Sequence, residues 1–86
     1  MPNTVRIVVA EDEAIIRLDL VETLQEEGYI VVADTGRGDT AIDLVREHKP
    51  DVAIFDIKMP GLDGLAAAQV VSAEKICPVV MLTAFS

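Results

Sequence analysis

The chain has 86 residues and a formal net charge of −8 at pH 7, and 51 % of its residues are hydrophobic while only 3 % are aromatic. These values predict one small domain with an aliphatic core, and the negative charge argues against contact with a nucleic-acid backbone. No apolar run is long enough to span a membrane, and the single Cys77 fits the reducing cytoplasm, where we expect the protein to reside.

Short apolar runs alternate with amphipathic segments in the first half of the chain, which predicts strands of a parallel sheet joined by helices. The predicted order is a strand over residues 5–10, a helix over 12–27, a strand over 29–33 and a helix over 39–49. Ile16, Leu20 and Leu24 are expected to form the apolar stripe of the first helix. Gly28 is its expected left-handed stop, and Asp39 or a neighbour is the expected cap of the second helix.

The second half of the chain continues the alternation, with a strand over residues 52–55, a helix over 63–75 and a strand over 78–83. Regular alternation of this kind is typical of α/β domains with a parallel sheet between helices. We therefore expect residues 1–86 to form one α/β domain, a doubly wound parallel sheet with about four strands and three helices.

Acidic residues follow two of the predicted strands. Glu11 and Asp12 come after the first strand, and Asp56 follows the third. The carboxyl ends of parallel strands meet at one edge of the sheet, so these side chains are expected to share a cleft. Clustered carboxylates favour a bound cation, and an oxygen-only ligand set favours Mg²⁺. Such a site suits phosphoryl transfer with a carboxylate as acceptor, although Asp56 taken alone could equally be a turn former.

Four motifs on these elements resemble the receiver domain of two-component response regulators, which has a flavodoxin-like fold. They are Glu11-Asp12, Asp56, Lys58-Met59-Pro60-Gly61-x-Asp63-Gly64 and Leu82-Thr83-Ala84. The resemblance implies that Asp56 accepts a phosphoryl group from a histidine kinase. It further implies that Asp12, Asp56 and the Lys58 carbonyl hold Mg²⁺, with Glu11 acting largely through water. The Thr83 hydroxyl would follow the phosphoryl group during switching.

The resemblance covers the first two-thirds of a receiver. Receivers also have a fifth strand that ends in a phosphoryl-contacting Lys, and this sequence offers no candidate for that Lys. The amino-acid sequence of residues 10–20 and 82–86 most resembles that of receivers joined to an RNA-binding antiterminator (ANTAR) output domain. This resemblance implies control of transcription antitermination. We expect the fourth strand to be a sheet edge and the floor made by strands one and three to be partly open, so that the chain self-associates.

Three other interpretations fit parts of the sequence. Gly36, Gly38 and Ala41 match the G-x-G-x-x-A pattern of a dinucleotide-binding Rossmann-like module, although nearby acidic residues would repel a pyrophosphate. A hydrolase with an aspartyl nucleophile commonly has a second Asp where this chain has Lys58, so we expect no enzymatic turnover. A structural or interaction fragment without phosphotransfer is the third alternative.

Overall fold

In the computed structural model, which describes residues 4–82, a parallel sheet lies between helices. The strands are β1 (Arg6–Ala10), β2 (Ile30–Thr35), β3 (Val52–Asp56) and β4 (Val79–Leu82), in the spatial order β2-β1-β3-β4. The helices are α1 (Ala14–Glu26), α2 (Gly38–His48) and α3 (Gly64–Ala73). The predicted α/β doubly wound sheet with four strands and three helices is therefore confirmed. Within residues 4–82, no helix combines the length and apolarity needed to cross a membrane.

The main core lies between the sheet and the pair α2 and α3. Alternate residues of β1 and β3 face these helices, and Phe55 is the largest of the fully buried side chains. The core residues are otherwise small or aliphatic: Val8, Ala10, Ala41, Ile42, Val45, Ala53, Met59, Ala67 and Val71. Burial of this set supplies the main driving force for folding, at about 25 cal/mol per Å² of apolar surface.

The opposite face of the sheet carries only α1 among the described elements. Ile7 and Val9 on β1 are buried there, so the part of the predicted partly open floor that strand one forms is closed. The open part lies farther along the sheet, where Ile54 pairs in register with Val80, which is 50 % exposed. The predicted stripe of α1 is also wrong at Ile16, which is 54 % exposed, because the side of α1 that carries Ile16 has no partner among the described elements.

The helix ends agree only in part with those predicted from the sequence. Gly28 has a φ of +94°, which confirms the predicted left-handed stop after α1. Neither Asp39 nor a neighbouring side chain caps α2: Arg37 holds the cap position without a side-chain cap bond, and Asp39 lies in the first turn, where its carboxylate pairs with Arg37 and accepts the Thr40 N–H. Asp63 does cap α3, where its Oδ1 accepts the Ala66 N–H at 2.8 Å.

Candidate functional site

The three predicted carboxylates meet at the carboxyl edge of the sheet. Register pairing of Ala10 with Phe55 places the residues that follow β1 beside the last residue of β3. Glu11, Asp12 and Asp56 each present an oxygen atom, and these atoms lie within 4.8 Å of one another. Strand topology therefore assembles the acidic cluster from two distant parts of the chain, as the sequence predicted.

Glu11 is the buried member of the acidic cluster, with only 4 % of its surface exposed. Its N–H donates to the Thr35 carbonyl at 3.0 Å, and its Oε1 accepts the Glu13 N–H at 3.0 Å. Burial raises the pKa of Glu11, the Glu13 N–H opposes that shift, and the neighbouring Asp56 carboxylate adds to it. Burial and the Asp56 charge thus make the ionised form of Glu11 less favourable, and a cation among these oxygens would stabilise it.

Asp56 is half-buried at the end of β3, where its Oδ1 accepts the Ile57 N–H at 2.9 Å. The start of α3 presses against the same residue, since a Cβ at Gly64 would lie 1.8 Å from the Asp56 carbonyl oxygen. Gly64 also donates its N–H to the Ile57 carbonyl at 2.6 Å. Gly64 therefore restrains the backbone that follows the Asp56 side chain, and the Ile57 N–H holds one oxygen of the carboxylate.

The glycines that suggested a dinucleotide site are instead packed against the chain itself. Gly38 donates its N–H to the Pro60 carbonyl at 3.2 Å, and a Cβ on it would lie 1.7 Å from the Leu62 carbonyl oxygen. Gly36 faces the Arg17 guanidinium, whose Nη1 would be 2.7 Å from an added Cβ. Because the Gly38 N–H already has a backbone partner and both glycines are in close contact with other parts of the chain, the dinucleotide interpretation is not favoured.

The remaining predicted site residues are less defined. Lys58 lies two residues beyond Asp56 with an exposed side chain, and the role of its carbonyl as a ligand stays a prediction. Thr83 lies outside the described residues.

One contact at the site was missed by the sequence analysis. Arg17 donates from Nη1 to the Glu11 carbonyl at 2.7 Å. The only signal for it was a basic residue one turn into a helix that follows an acidic segment.

The acidic cluster lies at an open surface rather than in a deep cavity. Asp12 is exposed, and the small hollow of about 170 Å³ that adjoins α1 is lined by Ala14, Arg17, Leu18, Val21 and Asp34 instead. A shallow acidic edge of this kind suits a small ion and a group delivered by another molecule better than an enclosed organic ligand.

Sequence comparison agrees with this arrangement. The response regulator receiver domain family matches residues 7–86. The transcriptional regulatory protein PdtaR of Mycobacterium tuberculosis is 52 % identical over 81 residues, which cover 94 % of this chain and 40 % of PdtaR. A protein-glutamate methylesterase/protein-glutamine glutaminase of Haloarcula marismortui is 39 % identical over 84 residues, which cover 98 % of this chain and 23 % of that protein.

Solved structures show the same fold. The signal receiver domain of the response regulator NarL from Mycobacterium tuberculosis superposes with a TM-score of 0.92 at 33 % identity, covering 99 % of this chain and 70 % of that one. The response regulator domain of Thermotoga maritima CheB superposes with a TM-score of 0.87 at 30 % identity, covering 92 % of this chain and 60 % of that one. The chain thus spans less than half the length of the curated relatives named above. On the family match over residues 7–86 and the acidic cluster at the strand ends, this chain belongs to the response regulator receiver domain family.

Proposed function

We propose that this chain is the phosphoacceptor of a two-component system, in which Asp56 takes a phosphoryl group from a histidine kinase. The observation that carries the proposal is the meeting of the Glu11, Asp12 and Asp56 oxygens within 4.8 Å at the strand ends. In a chain of the receiver family, this is the arrangement that phosphoryl transfer to a carboxylate requires.

The acidic cluster fits Mg²⁺ by its chemistry. All three side chains offer hard oxygen ligands without imidazole or thiolate, and burial of Glu11 disfavours its charge unless a cation is near. Asp12, Asp56 and the Lys58 carbonyl would hold the ion, and Glu11 would act largely through water. Bound Mg²⁺ would neutralise negative charge on the transferring group.

The protein's own part in the transfer is to orient Asp56. Its Oδ1 accepts the Ile57 N–H, and the backbone from the Asp56 carbonyl to Ile57 packs against Gly64 at the start of α3, so the carboxylate needs little reorganisation. A carboxylate oxygen of Asp56 forms a bond to phosphorus while the bond from phosphorus to the kinase imidazole nitrogen breaks. The imidazole keeps the electron pair and takes a proton from water. The Thr83 hydroxyl would then follow the phosphoryl group as the switching residue.

The output that this switch controls belongs to the whole protein. We propose an RNA-binding output that acts in transcription antitermination, on the resemblance to ANTAR-type receivers and on the 52 % identity to the transcriptional regulatory protein PdtaR. RNA contact would be made by that output rather than by this segment, whose net charge is −8. A kinase-driven switch of this kind would act in the cytoplasm.

The Mg²⁺ proposal predicts a site-specific loss in the Asp12→Asn variant. Titration of the wild-type chain with Mg²⁺ is expected to shift the amide NMR signals of Glu11, Asp12, Asp56 and Lys58. Loss of one charged contact should weaken binding by about 1–3 kcal/mol, which is roughly 5- to 150-fold in Kd. Asp19→Asn, which removes the same charge from the exposed face of α1, is the matched control and should leave the Kd unchanged. Shifts that scatter over the acidic surface and persist in Asp12→Asn would count against the site.

We also propose that the 86-residue chain self-associates through β4. Among the described strands β4 pairs only with β3, its Val-Val-Met-Leu sequence carries no charge, and Val80 is 50 % exposed. An unprotected apolar edge strand is a template for pairing with another chain. Light scattering after size exclusion should report a dimer or larger species, and Val80→Lys should shift it toward monomer. A sharp 9.3 kDa wild-type monomer that binds no hydrophobic dye would show this proposal to be wrong.

A further inference from the structure

Arg17 links the ends of two neighbouring strands. From the first turns of α1, its Nη1 donates to the Glu11 carbonyl at 2.7 Å, and its Nε lies 3.2 Å from Asp34 Oδ1. Asp34 pairs in register with Val9, so it stands on the sheet face that α1 covers. The Arg17 side chain is 24 % exposed, which is low for a residue of its length and indicates a fixed position.

The guanidinium of Arg17 and the neighbouring Gly36 both favour the contacts of Arg17 with Glu11 and Asp34. A guanidinium presents several donors in a rigid plane and can therefore join a carbonyl and a carboxylate at once, which an ammonium group does less well. Gly36 leaves the room for it, because a Cβ at that position would lie 2.7 Å from Nη1.

The bond to the Glu11 carbonyl acts on the acidic cluster directly. That carbonyl belongs to the peptide plane that joins Glu11 to Asp12. The orientation of this plane therefore affects the directions in which the Glu11 and Asp12 side chains leave the backbone. The Glu11 N–H is already bound to the Thr35 carbonyl, and the Glu11 carboxylate accepts the Glu13 N–H. Because Arg17 donates to the Glu11 carbonyl, the N–H, the carbonyl and the carboxylate of Glu11 each have a hydrogen-bond partner.

We propose that Arg17 is a positioning residue for the acidic cluster: it fixes the Glu11–Asp12 peptide plane and so sets the affinity of the cluster for a divalent cation. This inference rests on the proposed function, since it assigns a further residue to the same site. Asp34 anchors the Arg17 guanidinium through an ion pair, and the absence of a side chain at Gly36 leaves room for that guanidinium.

Positioning and simple electrostatics predict opposite results when Arg17 is changed. If Arg17 acted only as a nearby positive charge, its removal in Arg17→Gln would strengthen Mg²⁺ binding, and Arg17→Lys would leave it unchanged. If Arg17 holds the peptide plane, both variants weaken binding. Gly36→Ala displaces the guanidinium without changing any charge, so it also weakens binding only under the positioning role.

The experiment is a Mg²⁺ titration followed by amide NMR on the wild-type chain and on Arg17→Lys, Arg17→Gln and Gly36→Ala. We expect each variant to bind about ten-fold more weakly, the lower end of the effect of losing an outer-shell partner of a metal site. Arg46→Lys is the control, because Arg46 pairs with Glu74 on the α2–α3 side and should not affect the Kd. Without metal, hydrogen exchange at the Glu11 N–H should accelerate in the Arg17 variants and not in Arg46→Lys.

The outcomes separate the two proposals. Wild-type binding with an unchanged Kd in Arg17→Lys and Gly36→Ala, or tighter binding in Arg17→Gln, overturns the positioning role and leaves the Mg²⁺ site intact. Absence of Mg²⁺ binding in the wild type overturns the proposed function and the positioning role together. Should one variant fail to fold, the remaining two still test the sign of the effect.

Discussion

Replacement of Asp56 with Asn is expected to reduce phosphorylation of the chain by a small phosphodonor to background. The carboxylate is the proposed nucleophile, and an amide of the same shape cannot attack phosphorus in its place. The loss should be at least about a hundred-fold, because removal of a covalent nucleophile removes the reaction instead of slowing it. The fold should be retained, since an Asn oxygen can still accept the Ile57 N–H that Asp56 Oδ1 accepts at 2.9 Å.

Intact-mass measurement after incubation with phosphodonor and Mg²⁺ checks this expectation. Asp19→Asn again serves as the control, because it removes an equal charge from the exposed face of α1 and should become phosphorylated like the wild type. Persistence of the added mass in Asp56→Asn would show that another residue accepts the group.

Replacement of Gly64 with Ala should strongly destabilise the domain. Gly64 is buried at the start of α3, where an added Cβ would lie 1.8 Å from the Asp56 carbonyl oxygen and 3.1 Å from the Ile57 Cα. Both contacts are with backbone, which cannot rotate away as a side chain can. Overpacking of this kind costs about 3 kcal/mol, which exceeds the roughly 1 kcal/mol that Ala gains over Gly in a helix.

Urea unfolding of Gly64→Ala beside Ser72→Ala measures this cost. Ser72 is exposed on the same helix, so its replacement should change the free energy of unfolding by less than about 0.5 kcal/mol. Because α3 must shift to accept the methyl group, Gly64→Ala should also slow phosphorylation of Asp56. Equal stability of the two variants would contradict this expectation, because it would mean that the backbone at Asp56 and Ile57 can move to accept the added methyl group at little cost.

Sequence reasoning reached the acidic cluster because its position depends on simple rules. Apolar runs before Glu11 and Asp56 indicate buried parallel strands, and parallel strands bring their carboxyl ends to one edge. Neither step needs knowledge of any side-chain conformation, which is why the three carboxylates could be placed together in advance.

The features that sequence reasoning missed depend on tertiary contacts. The spacing of Ile16 with Leu20 and Leu24 indicates an apolar face of α1, but it cannot say which side of that helix meets the sheet. Asp39 and Asp63 both lie near the start of a helix, yet only Asp63 occupies the cap position, because α2 begins one residue before Asp39.

Arg17 was invisible to sequence reasoning for a similar reason. Its contacts join Glu11, which follows β1, to Asp34, which lies near the end of β2, and they depend on how the Arg17 side chain folds back along α1. No periodicity in the sequence encodes that choice.

The most direct measurement of the central claim locates the phosphoryl group chemically. After phosphorylation in Mg²⁺, borohydride reduces an aspartyl phosphate to homoserine, and peptide mass mapping then identifies the residue that was modified. We expect homoserine at position 56 alone, dependent on both phosphodonor and Mg²⁺. Homoserine at Asp12 or another carboxylate, or an added phosphoryl group that borohydride does not remove, would contradict the assignment of Asp56 as the acceptor.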